Sequence, residues 1–226
     1  MQNKKKSYSI IFCFYVIACF ILYFITRKAG FVDDYIGFEA NYDRCGLLHY
    51  YSCSGSTNLR FFQHVFTFGI YKVFGSENIA WYFVYCTLHA IAACLSFVVI
   101  DKLLTLFEQK KSKEIAFFSA LLFLVSPYQT EVVVWRVCIQ YIVVQICMML
   151  SILLVLKQEK NYFFASLIVG VVLFIIALFS IEQAIMIPFV LLAIVIILRL
   201  AKKQNFNQKL FVPLFIMQLI VIAGFF

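Results

Sequence analysis

Residues 162–200 read YFFASLIVGVVLFIIALFSIEQAIMIPFVLLAIVIILRL. Two apolar runs, 162–179 and 184–200, flank a short joint, Ser180-Ile181-Glu182-Gln183. Neither run alternates apolar and polar residues, as a strand with one wet face does. Lipid is the solvent such unbroken runs require. In lipid every backbone N–H and C=O must be satisfied within the protein, which leaves helices or a closed barrel. Continuous apolarity selects helices. The stretch therefore predicts a helical hairpin in a membrane.

Outward from this hairpin the pattern repeats. The chain has 226 residues, 64% of them hydrophobic and 13% charged, with a mean hydropathy of +0.95. A soluble domain is roughly half apolar and a quarter charged, so the composition excludes one. The expected fold is all-α: a polytopic integral membrane bundle forming a single transmembrane domain over 1–226. About seven spans are expected, at 8–25, 79–100, 113–127, 137–156, 162–179, 184–200 and 210–226. The first follows Lys4-Lys5-Lys6 and ends in Phe24-Ile25-Thr26-Arg27-Lys28 without a small-residue cleavage site, so it reads as an uncleaved span.

Charge sets the orientation. With seven spans, the segments on the N-terminal side (1–7, 101–114, 157–161, 199–209) hold 13 Lys/Arg and 4 Asp/Glu. The opposite segments (26–78, 127–136, 180–183) hold 6 Lys/Arg and 7 Asp/Glu. The positive-inside rule then places the N-terminus in the cytoplasm. It also requires the short third segment to cross, because otherwise Arg199, Lys202, Lys203 and Lys209 fall outside. The net charge of +8 is spread between apolar runs, which fits topology signals and anionic lipid heads and not nucleic acid. Cys13, Cys19, Cys86, Cys94, Cys138 and Cys147 lie in apolar runs and read as small apolar residues. Cys45 and Cys53 lie in the long polar loop and can pair if it faces an oxidising compartment.

That loop, 26–78, carries an aromatic-rich stretch, Asn58 to Phe74. Leu59, Phe62, Phe66 and Val73 fall near one helical face, which predicts a helix lying in the outer membrane interface. Pro127 is expected to end the third helix. The last run reaches Phe226 without a polar tail, so the chain is expected to be the N-terminal portion of a longer protein.

Candidate chemistry gathers on the outer side. Asp33 and Asp34 follow the first span; paired carboxylates there suit a general base or a divalent cation, although a merely solvated pair fits as well. Glu131 and Glu182 are lone acids of the outer joints, where an ionisable group faces water, a cavity or a partner. Arg136 can pair with Glu131 or meet a phosphate, and Arg60 is a second candidate for an anion. His89, in mid-span, reads as a hydrogen-bonded packing residue. The sequence holds no phosphate loop, no dinucleotide fingerprint and no Cys/His cluster at metal-ligand spacing.

The order of these features resembles the GT-C superfamily of membrane glycosyltransferases, in its protein O-mannosyltransferase-like and tetratricopeptide-bearing branches. The matching pieces are Phe31-Val32-Asp33-Asp34, Arg60, and Thr87-Leu88-His89-Ala90. Further along come Pro127 to Trp135, then Ser180-Ile181-Glu182-Gln183-Ala184 with Pro188 beyond. The chain departs from those relatives at Phe61, where they carry a proline, and at Ile181, where they carry a lysine. It also lacks their Gly-Arg pair and Asp after the tryptophan, having Cys138, Ile139, Gln140 and Tyr141 instead.

The resemblance implies inverting transfer of a sugar from a polyprenyl-phosphate-linked donor to a protein or glycan acceptor on the non-cytoplasmic face, in a bacterial inner (plasma) membrane. It implies Asp33 or Asp34 as catalytic base and Arg60, Glu131, Arg136 and Glu182 as substrate-binding residues. No cofactor is certain, and a divalent cation is compatible with the family. The outer ends of spans one, three, four, five and six are expected to converge on one cavity. Two other readings fit the composition: a transporter or flippase for lipid-linked saccharides, and a non-catalytic membrane subunit.

Overall fold

The computed structural model describes residues 2–28, 43, 60–156, 162–202 and 208–225. Among them the chain is all-helical, with no strand. The helices are α1 (Gln2–Leu22), α2 (Phe61–Phe74), α3 (Asn78–Leu106), α4 (Ser112–Val125), α5 (Thr130–Val134), α6 (Ile139–Val155), α7 (Phe163–Leu178), α8 (Ile187–Leu200) and α9 (Gln208–Phe225). Short 3-10 turns at Phe24–Thr26, Pro127–Gln129, Arg136–Cys138 and Glu182–Met186 punctuate them.

Every expected span lies on a helix, but length separates them. Asn78–Leu106, Arg136–Val155 and Glu182–Leu200 are long and apolar enough to cross a membrane. Ser112–Val125 with Pro127–Val134 adds a fourth if a pair bent by 53° is one span. Tyr8–Leu22, Phe163–Leu178 and Lys209–Phe225 are apolar but shorter. The 16 residues of α7 rise about 24 Å, less than the roughly 30 Å of a hydrocarbon core.

The long helix α3 is the axis of the bundle: α4, α1 and α6 pack on it, α7 packs on α6, and α9 on α7. Small side chains bring α3 and α4 close, with Ala90, Ala93, Ala116 and Ala120 wholly buried. Tyrosines stitch the helices where their rings are buried and their hydroxyls find carbonyls. Tyr15 donates to Phe117 O at 3.0 Å and Tyr82 to Phe20 O, tying α1 to α4 and α3. Buried hydroxyls of Thr67, Ser96, Ser151 and Ser180 donate to the carbonyl four residues back, so these four hydroxyls are satisfied within their own helices. The outside is apolar: Ile17, Ile21, Phe118, Leu122, Ile168 and Ile220 are exposed. The six cysteines of the apolar runs are free thiols; Cys45 and Cys53 lie outside the described residues.

Pro127 ends α4 as expected, and does so two residues early. The residue before a proline avoids the helical region, and Ser126 is extended at φ −59°, ψ 129°. The joint between α4 and α6 is not a tight hairpin. It folds into a 3-10 turn, α5 and a second 3-10 turn, broken at extended Trp135.

The expected stretch forms the helix α2, and the side it turns toward the bundle is polar. Gln63, His64 and Thr67 turn inward, while Val73 is 72% exposed and Phe62 and Phe66 are half-buried. Gln63 Nε2 donates to Val137 O at 3.0 Å, which fixes the polar face against the start of α6. Gly75 closes α2 at φ 58°, a conformation glycine adopts without strain; its N–H donates to Tyr71 O and its carbonyl accepts from Trp81 Nε1.

Candidate functional site

Two of the residues singled out from the sequence meet. Arg60 and Glu182, 122 positions apart, form a forked ion pair: Nε donates to Oε1 at 3.3 Å and Nη2 to Oε2 at 3.1 Å. The backbone brings them together, since Phe62 N–H at the start of α2 donates to Phe179 O at the end of α7. The fork suits a carboxylate, and equally a phosphate. Both side chains are partly exposed, at 33% and 45%. The pair therefore contributes no more than about 1 kcal/mol and can open for a ligand. One turn on, burial and the Arg60 charge together push the His64 imidazole down to about 4.

Arg136 sits elsewhere. It is 2% exposed, its Nη2 donates to Ser76 O at 3.3 Å and to Asn78 Oδ1, and its guanidinium lies 4.8 Å from the Trp81 ring centroid. The Tyr85 hydroxyl donates to its carbonyl. The void beside it measures about 10 Å³, room for a single water. Arg136 thus braces α3 against the α5–α6 joint. Glu131, at the first turn of α5, is exposed. Asp33 and Asp34 lie outside the described residues. Among the described residues no three His, Cys, Asp or Glu side chains gather as a metal site.

Between the helices lies a cavity of about 300 Å³, bordered by both chain neighbours of Glu182. α3 supplies His89 and Ala92; α4 and the following joint supply Phe123, Gln129 and Val132. α6 contributes Tyr141 and Gln145, and the 181–183 joint Ile181 and Gln183. Convergence of the outer ends was the expectation, but the floor comes from span two and not span one. Span one contributes a prop: the Tyr23 ring meets His89 edge-on, centroids 5.9 Å apart.

His89 is held by the break at Pro127. An α-helix continuing past Val125 would satisfy Leu124 O with an amide four residues on; α4 stops, and that carbonyl is orphaned. Tyr23 Oη donates to it at 3.4 Å and His89 Nε2 reaches it at 3.3 Å. The packing role expected for His89 is half the story, because Nδ1 has no partner.

Sequence reading also missed Asp101. It is 5% exposed at the opposite end of α3, and accepts hydrogen bonds from Tyr8 Oη at 3.1 Å and Ser112 Oγ at 2.8 Å. Its signal was an acid placed directly after an apolar run, which enters the sequence reading only in the charge count of 101–114. Facing outward between α1 and α3, a groove of about 510 Å³ is lined only by apolar and aromatic residues, including Ile17, Phe20 and Phe83.

No family model, curated protein or solved structure matches the chain. The resemblance to GT-C glycosyltransferases rests on the residues quoted from the sequence.

Proposed function

We propose that the chain is a seven-span membrane glycosyltransferase of the GT-C type, N-terminus in the cytoplasm, which moves a sugar from a polyprenyl-phosphate carrier to an acceptor on the outer face. The observation that carries this reading is the forked Arg60–Glu182 pair. Two positions from separate pieces of the resemblance are joined, and both chain neighbours of Glu182 border a cavity. In this reading Asp33 or Asp34 takes the proton of the acceptor hydroxyl as it attacks the anomeric carbon. The bond from that carbon to the phosphate oxygen breaks, and Arg60, released from Glu182, receives the departing phosphate. Arg136 holds the joint that carries the cavity wall.

The test uses the protein in its membrane with radiolabelled polyprenyl-phosphate sugars. Transfer to an endogenous acceptor is expected from the wild type. Arg60→Ala is expected to lose it by about 10²-fold, the scale of one lost charge stabiliser. Arg60→Ala acting at the wild-type rate contradicts the assignment. Movement of the lipid-linked sugar across the bilayer without transfer would identify a flippase instead.

A further inference from the structure

We infer that the cavity floored by His89 is a binding site for an uncharged, hydroxyl-bearing ligand of about monosaccharide bulk, which donates a hydrogen bond to His89 Nδ1. The inference does not depend on transfer chemistry, since a carrier of saccharides needs the same site.

Three observations lead to it. The first is the unsatisfied atom. His89 is 1% exposed and borders the cavity. Its Nε2 faces a carbonyl oxygen, an acceptor only, so Nε2 bears the proton and Nδ1 of the neutral ring is a lone-pair acceptor. That acceptor is buried without a partner, and buried polar groups are rarely left so. It requires a donor.

The second is the charge of the wall. Among the described residues lining the cavity there is no Asp, Glu, Lys or Arg. An ion entering it would lose its hydration and gain no counter-charge. Glu182, beside Ile181 and Gln183 in the chain, is outside the lining and is paired with Arg60. An anionic headgroup belongs with that pair and a neutral group in the cavity.

The third is the type of polar group. Gln129, Gln145 and Gln183 each offer both donors and acceptors, and Tyr141 Oη can serve as either. A purely apolar ligand would leave these groups unpaired, whereas vicinal hydroxyls match them. The Tyr141 and Phe123 rings supply apolar surface for the C–H face of a sugar ring. At about 300 Å³ the space falls at the lower end of small-molecule pockets.

The experiment uses the purified chain in lipid nanodiscs with methyl glucoside, methyl mannoside and methyl galactoside as neutral probes. Saturation-transfer NMR reads binding, and ¹⁵N-histidine labelling reads Nδ1; the chain has only 3 histidines, so His89 is assigned by substitution. At least one glycoside is expected to receive saturation and to shift the His89 Nδ1 resonance. His89→Phe and Gln145→Leu should each weaken binding at least about tenfold, the scale of a buried hydrogen bond left unmade. Phe118→Leu, on the exposed face of α4, should leave binding unchanged. Gln145→Leu alone decides the matter if His89→Phe fails to fold. The proposal is overturned if no neutral glycoside binds, or if Gln145→Leu binds as the wild type does.

Discussion

Pro127 and His89 illustrate how the end of one helix dictates the role of a residue on another. The proline was legible as a helix end; that the orphaned carbonyl behind it would be met by Tyr23 and His89, 101 and 35 positions away, was not. Local rules give the break, and only the packing of three helices gives the rescue. His64 carries a prediction at this scale. Its imidazole is held near 4 against an ordinary 6.5, so between those values the unfolded chain binds a proton that the folded chain refuses. The His64 contribution to stability is therefore flat above about pH 6.5 and turns unfavourable as pH drops toward 4, by on the order of 3 kcal/mol in full. Melting temperatures in detergent at pH 7.5 and 4.5 check this. His64→Gln should show a clearly smaller drop than the wild type, and an equal drop would remove His64 as the cause.

Among the helices, α2 is one that sequence reading found as an element without finding its buried polar side. A helical wheel reports the apolar side, and for a helix on a soluble core that side is the buried one. Here the surroundings of the bundle are apolar and its interior holds polar partners, so Gln63, His64 and Thr67 point inward. The same inversion hid Asp101, whose partners Tyr8 and Ser112 come from α1 and α4. Helix packing also gives a sharper test. A Cβ on Gly170 of α7 would stand 2.8 Å from Leu214 Cδ1 of α9. Alanine is tolerable there, because a leucine tip can shift by a few tenths of an ångström. Gly170→Val is expected to cost about 1–3 kcal/mol by overpacking. Leu214→Ala in the same chain should recover part of that loss, a coupling that a thermal-melt double-mutant cycle measures. Strictly additive losses would mean that the two helices do not meet at this point.

At the scale of the whole molecule, apolar runs announced a helical membrane protein because lipid leaves a backbone only helices or a closed barrel, and unbroken apolarity does not suit a barrel strand. They could not announce how many helices cross, since the apolar parts of α1, α7 and α9 are shorter than a full span. Of the candidate site, Arg60 and Glu182 were individually legible as outer charges, but their meeting depends on α2 docking at the end of α7. The neutral cavity was less legible still, because a glutamine carries no charge to mark it. Topology is open to direct measurement. In a cysteine-free background, impermeant thiol reagents added to intact cells should label cysteines placed at Gln129 and Gln183, and spare those at Ser112 and Asn205. Labelling at Asn205 would reverse the map.

The central claim is the chemistry at Asp33 and Asp34, and their charge can be removed with almost no change of shape. The measurement is the rate of sugar transfer from a polyprenyl-phosphate donor in membranes carrying equal amounts of wild-type protein and the Asp33→Asn/Asp34→Asn variant. Loss of the general base predicts a fall of about 10²–10⁴-fold. An unchanged rate in the double variant would contradict the account of transfer and leave the helical membrane fold standing.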